Sequence, residues 1–201
     1  MAEKIREPMQ KRAIEKKQRI IKAGFDLICE RGYYNVNTAE IAKEAGVSTG
    51  IVYSYFKDKK DIFLEGVREY SNSVMYPSID IDNFSKIDKN NFRETVEFMI
   101  DSFIKKHRIS KEAHEELIAM SHLDSEVAKI FNEAEMRMTD EAVKLLTLNN
   151  FKIDNMAEKI HLLIGIIENL CHEIVYHKHK DLDSSAMKEI VVGIFIDVLK
   201  V

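Results

Sequence analysis

The sequence predicts an all-α protein. Apolar residues recur every three or four positions along most of its 201 residues, the spacing that lines one face of a helix. Seven Gly and only two Pro leave long helices uninterrupted and argue against a turn-punctuated β sandwich. No stretch alternates convincingly; "SIDIDNF" (78–84) does so only briefly.

The elements follow in order. From 14 to 30 the stripe is Ile14, Ile20, Ile21, Phe25, Leu27 and Ile28, with Gly32 as the stop. Asn37 can cap a short second helix, and Glu40 stands three residues on, where a capping-box partner reaches back. That helix should end near Gly46. Ser48 caps a third, expected to run to about Tyr53. A longer helix is expected from about Lys59 to Tyr76, with Ile62, Phe63, Val67, Tyr70 and Val74 inward. The texture then changes. "YPSIDIDNFSKIDKNN" (76–91), with Pro77 among Asp, Asn and Ser, reads as a loop or hinge between two modules. The expected domains are 1–60 and 61–201, the first helix of the body starting near 59. Further helices are expected near 91–107, 110–121, 124–148, 156–178 and 184–199.

Composition narrows the function. The chain is 45% hydrophobic and 32% charged, enough to bury a core under a polar surface. No apolar run approaches the roughly 18–20 residues of a membrane span, and "MAEKIREPMQKR" lacks the apolar centre of a signal peptide. Cys29 and Cys171, far apart, suggest neither a disulfide framework nor a CxxC site. A reducing cytoplasm fits best. Residues 1–60 hold thirteen Lys/Arg against eight Asp/Glu, a balance of +5; the rest hold seventeen against twenty-six, −9. A basic end on an acidic body suggests separate partners, and basic surface favours polyanions.

Two short helices joined near a glycine fit a helix-turn-helix. Ala42 is small enough for a close crossing, Gly46 tolerates positive φ, and Val52 can pack back under the preceding helix. The second helix of such a unit enters the DNA major groove.

The stretch "AEIAKEAGVSTGIVYSYFKDKKDIFLEGV", with the preceding helix and "ERGYYNVNT", closely resembles the DNA-binding region of TetR-family transcriptional repressors. The resemblance covers roughly residues 14–68. It implies an N-terminal three-helix helix-turn-helix DNA-binding domain plus a larger C-terminal helical ligand-binding and dimerisation domain. It gives Thr38, Tyr53 and Lys59 to backbone phosphates, and Ser48, Thr49 and Gly50 to the leading turn of the recognition helix. Tyr55 lies near the DNA surface, and Phe56 is core. Many members carry a basic residue where Thr49 stands and Thr or Ala where Ile51 stands; position 39, often basic, is Ala39. Base reading through few hydrogen bonds, with weight on shape, is the expectation. The basic segment Lys11, Arg12, Lys16, Lys17 and Arg19 is a second phosphate candidate, against a solvated, frayed terminus.

The resemblance further implies a dimer that binds a pseudo-palindromic operator and an unknown small-molecule effector, with no cofactor. The segments 156–178 and 184–199 are the most apolar and suit the dimer seam, with Gly165 and Gly193 permitting close crossing. His161, Gly165, Glu168 and His172 share one helical face, with Asn169 and Tyr176 beside them. They can line an effector cavity, or form a buried polar patch. Phe98, Met99, Phe103, Met120, Phe131, Met136 and Met138 are further cavity candidates, or plain core. Glu168 and His172 are half of a metal set with no third ligand fixed by sequence, so no metal is expected. Enzyme chemistry is not expected: Cys171 and His172 project about 100° apart, and no Gly-rich phosphate loop, HExxH or GxSxG occurs. The alternative to a ligand-controlled repressor is a DNA-binding activator or nucleoid-type module.

Overall fold

The computed structural model describes residues 3–79, 86–109, 111–177 and 179–200. Among them are nine α-helices and no strand: α1 Glu3–Arg31, α2 Thr38–Glu44, α3 Thr49–Tyr55, α4 Lys59–Tyr70, α5 Phe92–Ile109, α6 Lys111–Leu123, α7 Ser125–Leu148, α8 Met156–Cys171 and α9 Ser184–Leu199. Helix α1 begins at Glu3 rather than near 14. The cationic side chains of 11–19 therefore stand on a continuous helix, not on a frayed end.

Two expected helices change character before they stop. α4 passes into a π-helical segment, Ser71–Met75, and α8 into another, His172–His177. Both keep a helical apolar pattern, which does not distinguish an i+4 from an i+5 hydrogen bond. Of the 76–91 loop, residues 80–85 lie outside the described residues, and most of "SIDIDNF" with them. The described ends are tied to α7 and to the residue that follows it. Arg137 donates to the Tyr76 carbonyl at 2.5 Å, the Ile79 N–H donates to Glu141 at 2.8 Å, and the Ile87 N–H donates to Asn149 at 2.9 Å.

The chain forms two compact units, Met1–Glu69 with Glu112–Ala128, and Tyr70–Lys111 with Lys129–Val201. The first is built on Ile20, Ile28, Ile41, Val52, Ile62 and Phe63, all at most 1% exposed. Burying each such side chain is worth roughly 1.5–3 kcal/mol. Helices α1 and α4 approach closely here. A Cβ built at Gly66 would lie 2.5 Å from the Phe25 ring, and one at Gly24 would lie 2.6 Å from an Ile62 methyl. In the second unit Ile100, Met138, Leu163 and Ile167 are equally buried.

Candidate nucleic-acid interface

Local rules set the helix-turn-helix. The Asn37 side chain accepts the N–H groups of Ala39 and Glu40, both at 3.0 Å, while Glu40 accepts the Asn37 N–H at 2.9 Å. This reciprocal box fixes where α2 begins and is worth about 1 kcal/mol. The helix ends in a left-handed turn. Gly46 has φ +65°, its N–H donates to Lys43, and the Val47 N–H donates back to Ala42 at 3.0 Å. Those two bonds are the Schellman pattern, and they need the glycine. Ser48 then caps α3, its hydroxyl accepting the Ile51 N–H at 3.4 Å. Val52, fully buried, and Phe56, 5% exposed, fasten α3 to the core.

The opposite side of α3 is open. Ser48, Thr49 and Gly50 are exposed, Tyr53 is 57% exposed, and Tyr55 is half-buried. Thr38 is half-buried at the first turn of α2. A Cβ at Gly50 would meet nothing within 4 Å.

Lys59 behaves differently from a freely projecting cation. Its ammonium donates to the carbonyls of Tyr33 at 2.6 Å and Val36 at 2.7 Å, and sits 4.3 Å from the Tyr33 ring centre. Burial lowers its pKa, while Glu40 acts in the opposite sense. Two of its three protons are thus spent inside the chain, leaving one for a phosphate. Lys59→Met should strand two carbonyls and lower stability by about 1–2 kcal/mol, with faster amide exchange confined to 32–37. Unchanged melting and exchange would contradict this positioning role.

Lys60 does not project freely into solvent either. Instead it bridges Asp124, at 2.8 Å, and Glu126. Hydrogen bonds to both carboxylates raise its pKa. The Tyr33 N–H likewise donates to Glu116 at 3.0 Å. The 112–128 segment is therefore fastened to the head by polar contacts that no sequence pattern announced. Lys17 pairs with Glu65 at 3.6 Å and lies 5.6 Å from the Phe56 ring centre, so the surplus of head cations is smaller than the count suggests.

In the second unit the structure separates the effector candidates. Phe103 and Phe131 are buried, whereas Phe98 and Met136 are 62% and 49% exposed. Met99 is half-buried. Met120 belongs to the first unit. Asn169 is exposed one step around α8 from Glu168, beside Leu162. His161 reaches α7, 3.3 Å from the Thr139 hydroxyl and 3.8 Å from Glu135. Only Glu168 and His172 remain with Tyr176 near an inward polar cluster.

Its centre is His107, which sequence reading overlooked because its partner is sixty-one residues away. The fully buried ring donates from Nδ1 to the Phe103 carbonyl at 2.9 Å, and Nε2 stands 3.2 Å from Glu168 Oε2. The Tyr176 hydroxyl donates to the His107 carbonyl at 3.1 Å. Glu168 Oε1 is buried without a hydrogen-bond partner among the described residues. Burial works against a charge on His107, but the hydrogen bond and charge of Glu168, with the Phe103 carbonyl, more than offset it, and the pKa is raised above 6.5. Burial pushes the Tyr176 hydroxyl up to about 12 and raises the Cys171 thiol, with Glu168 adding to both. Cys171, fully buried, is an inert thiol rather than a nucleophile.

A raised pKa in the folded state means that the His107–Glu168 pair stabilises fully below pH 6.5, and that this contribution fades as pH rises through the raised value. His172 faces the same carboxylate and its pKa is lowered, chiefly by burial. Glu168→Gln should therefore flatten the fall of melting temperature between pH 6 and 9. An unchanged profile would show that the pair is not the titrating element.

A capped α2, a glycine turn and an α3 with one buried and one open face form a helix-turn-helix. Residues 20–65 match the family described as bacterial regulatory proteins, tetR family. Over 48 residues it is 50% identical to the HTH-type transcriptional regulator HbdR of Aromatoleum sp. (strain CIB), covering 24% of this chain and 21% of that protein. Over 54 residues it is 43% identical to the fatty acid metabolism regulator protein of Bacillus subtilis (strain 168), covering 27% and 28%. The matched stretch thus spans under a third of either relative.

Solved structures share the fold across the chain. A putative TetR-family regulator from Mesorhizobium loti aligns with a TM-score of 0.75 at 18% identity, covering 93% of this chain and 98% of that one. A putative regulator from Saccharomonospora viridis in complex with choline aligns at 0.62 and 20% identity, covering 91% and 96%. Among the described residues no helix is long and apolar enough to cross a membrane.

Proposed function

We propose that the chain is a transcriptional repressor that binds a pseudo-palindromic operator as a homodimer and is released by a small molecule held in its second unit. The observation that carries the DNA reading is the open leading turn of α3, Ser48 to Gly50 with Tyr53, on a helix whose other side is core. Thr49 offers a hydroxyl and a methyl to base edges, and Gly50 lets backbone approach the groove. Thr38, Tyr55 and the remaining Lys59 proton are the phosphate contacts in this reading.

Dimerisation draws support from α8 and α9. Leu162 and Ile190 are 68% and 63% exposed, and Gly165 and Gly193 face open space. Neither glycine is needed for packing within the chain, so both suit close approach by a second copy, as an isologous seam requires. Release draws support from Glu168. A buried carboxylate oxygen without a partner suits a ligand that brings a cation or a hydrogen-bond donor. The choline complex of the Saccharomonospora viridis protein is consistent with such a head group, while the Bacillus subtilis relative is named for fatty acid metabolism. Such a ligand must favour the released state by about 1–3 kcal/mol or more.

The test places a reporter gene behind operator DNA recovered by selection from random duplexes. Repression by the intact chain, relieved by a small molecule that loses its effect in Glu168→Gln, supports the reading. Activation, or binding that no ligand relieves, would favour an activator or nucleoid-type module.

A further inference from the structure

The chain following α8 reads "HEIVYHKHKD" (172–181), with His177 and His179 separated by one lysine. The π-helical segment carries Glu173 and His177 one turn apart, and His179 returns to the same carboxylate from the loop beyond. Glu173 meets each imidazole with a different oxygen: Oε1 is 3.5 Å from His177 Nδ1, and Oε2 is 3.1 Å from His179 Nε2. The two rings lie edge to face, 6.1 Å between centres. One donor atom from each of the three residues falls within 4.8 Å of the other two.

We propose that Glu173, His177 and His179 bind one divalent transition-metal ion of the zinc or nickel class. Two imidazole nitrogens and one carboxylate oxygen suit a borderline ion; magnesium and calcium prefer oxygen throughout. In a tetrahedral site with bonds of about 2.0–2.1 Å, donors stand roughly 3.3 Å apart. The observed spacing reaches that by small side-chain rotations, without moving the helix. Glu173 is the less exposed member, its side chain 25% exposed, while the side chains of His177 and His179 are more than half exposed. Three protein ligands leave a fourth position for water or another donor, the arrangement of an open rather than a closed zinc site. The site shares no ligand with the inward cluster of His107 and Glu168, although His177 stands edge to face with His172 at 6.3 Å between ring centres, and it does not depend on the function proposed above.

Binding of Zn2+ and Ni2+ to the full chain, with any affinity tag removed, is measured by calorimetry, and Co2+ is used as an absorbing probe. The expected result is one ion per chain and Co2+ bands of four-coordinate intensity. His177→Ala and His179→Ala should each weaken binding about tenfold or more, as loss of a ligand demands, and the double variant should abolish it. His122→Ala, on α6, should leave it unchanged. Circular dichroism of each variant shows whether it is folded, and Glu173→Gln gives a further, conservative change. Absence of binding by the folded wild type, or affinity indifferent to His177 and His179, would overturn the proposal.

Discussion

Gly50→Glu should leave the protein folded and remove its DNA binding. The position lies in the first turn of α3, and a Cβ built there faces open space. A carboxylate near a helix N-terminus is favourable, by about 0.3–1 kcal/mol. Thermal stability should therefore hold or rise slightly. In the proposed complex the same carboxylate faces phosphates and base edges, where like charges cost several kcal/mol. Operator affinity should fall at least about 100-fold. Gly50→Ala, adding one methyl, should cost far less. A folded Gly50→Glu variant that keeps its affinity would show that this turn is not the DNA face.

The second large effect is on stability. Gly66→Ala should destabilise the first unit, because its new Cβ would lie 2.5, 2.8 and 2.9 Å from Cδ2, Cβ and Cγ of Phe25. A clash with a side chain's root is not relieved by rotating its end, so α1 and α4 must separate. Overpacking of this kind costs typically about 1–3 kcal/mol. In a chain of this size that lowers the melting temperature by roughly 2–4 °C per kcal/mol. The gain in helix propensity, about 1 kcal/mol for glycine to alanine, works against the clash. Stability equal to or above wild type would mean that the helices part without cost.

Much of this fold was legible because local rules and tertiary packing agree. Asn37 with Glu40, Gly46 and Ser48 announce their caps through residue type alone, and α5, α6, α7 and α9 begin and end within about two residues of their apolar stripes. The π-helical segments were hidden, because their apolar spacing is that of an ordinary helix. Side-chain direction was legible only in part. Lys59 sits where a phosphate-binding lysine is expected, yet the Tyr33 and Val36 carbonyls hold most of its donors. His107 looked like one more polar residue near the end of α5, and its role depends on Glu168, far along the chain. Phe98 and Met136 read as core or cavity from periodicity, but periodicity reports a face and not what covers it.

The central claim is that this chain reads DNA as a symmetric dimer through the open turn of α3. Selection of bound duplexes from a random library, with the mass of the purified complex measured alongside, tests it most directly. The account predicts enrichment of an inverted repeat whose half-sites are about one helical turn, or a multiple of it, apart, bound by an even number of chains. Failure to enrich any sequence, or enrichment of a single unrepeated site bound by one chain, would contradict it.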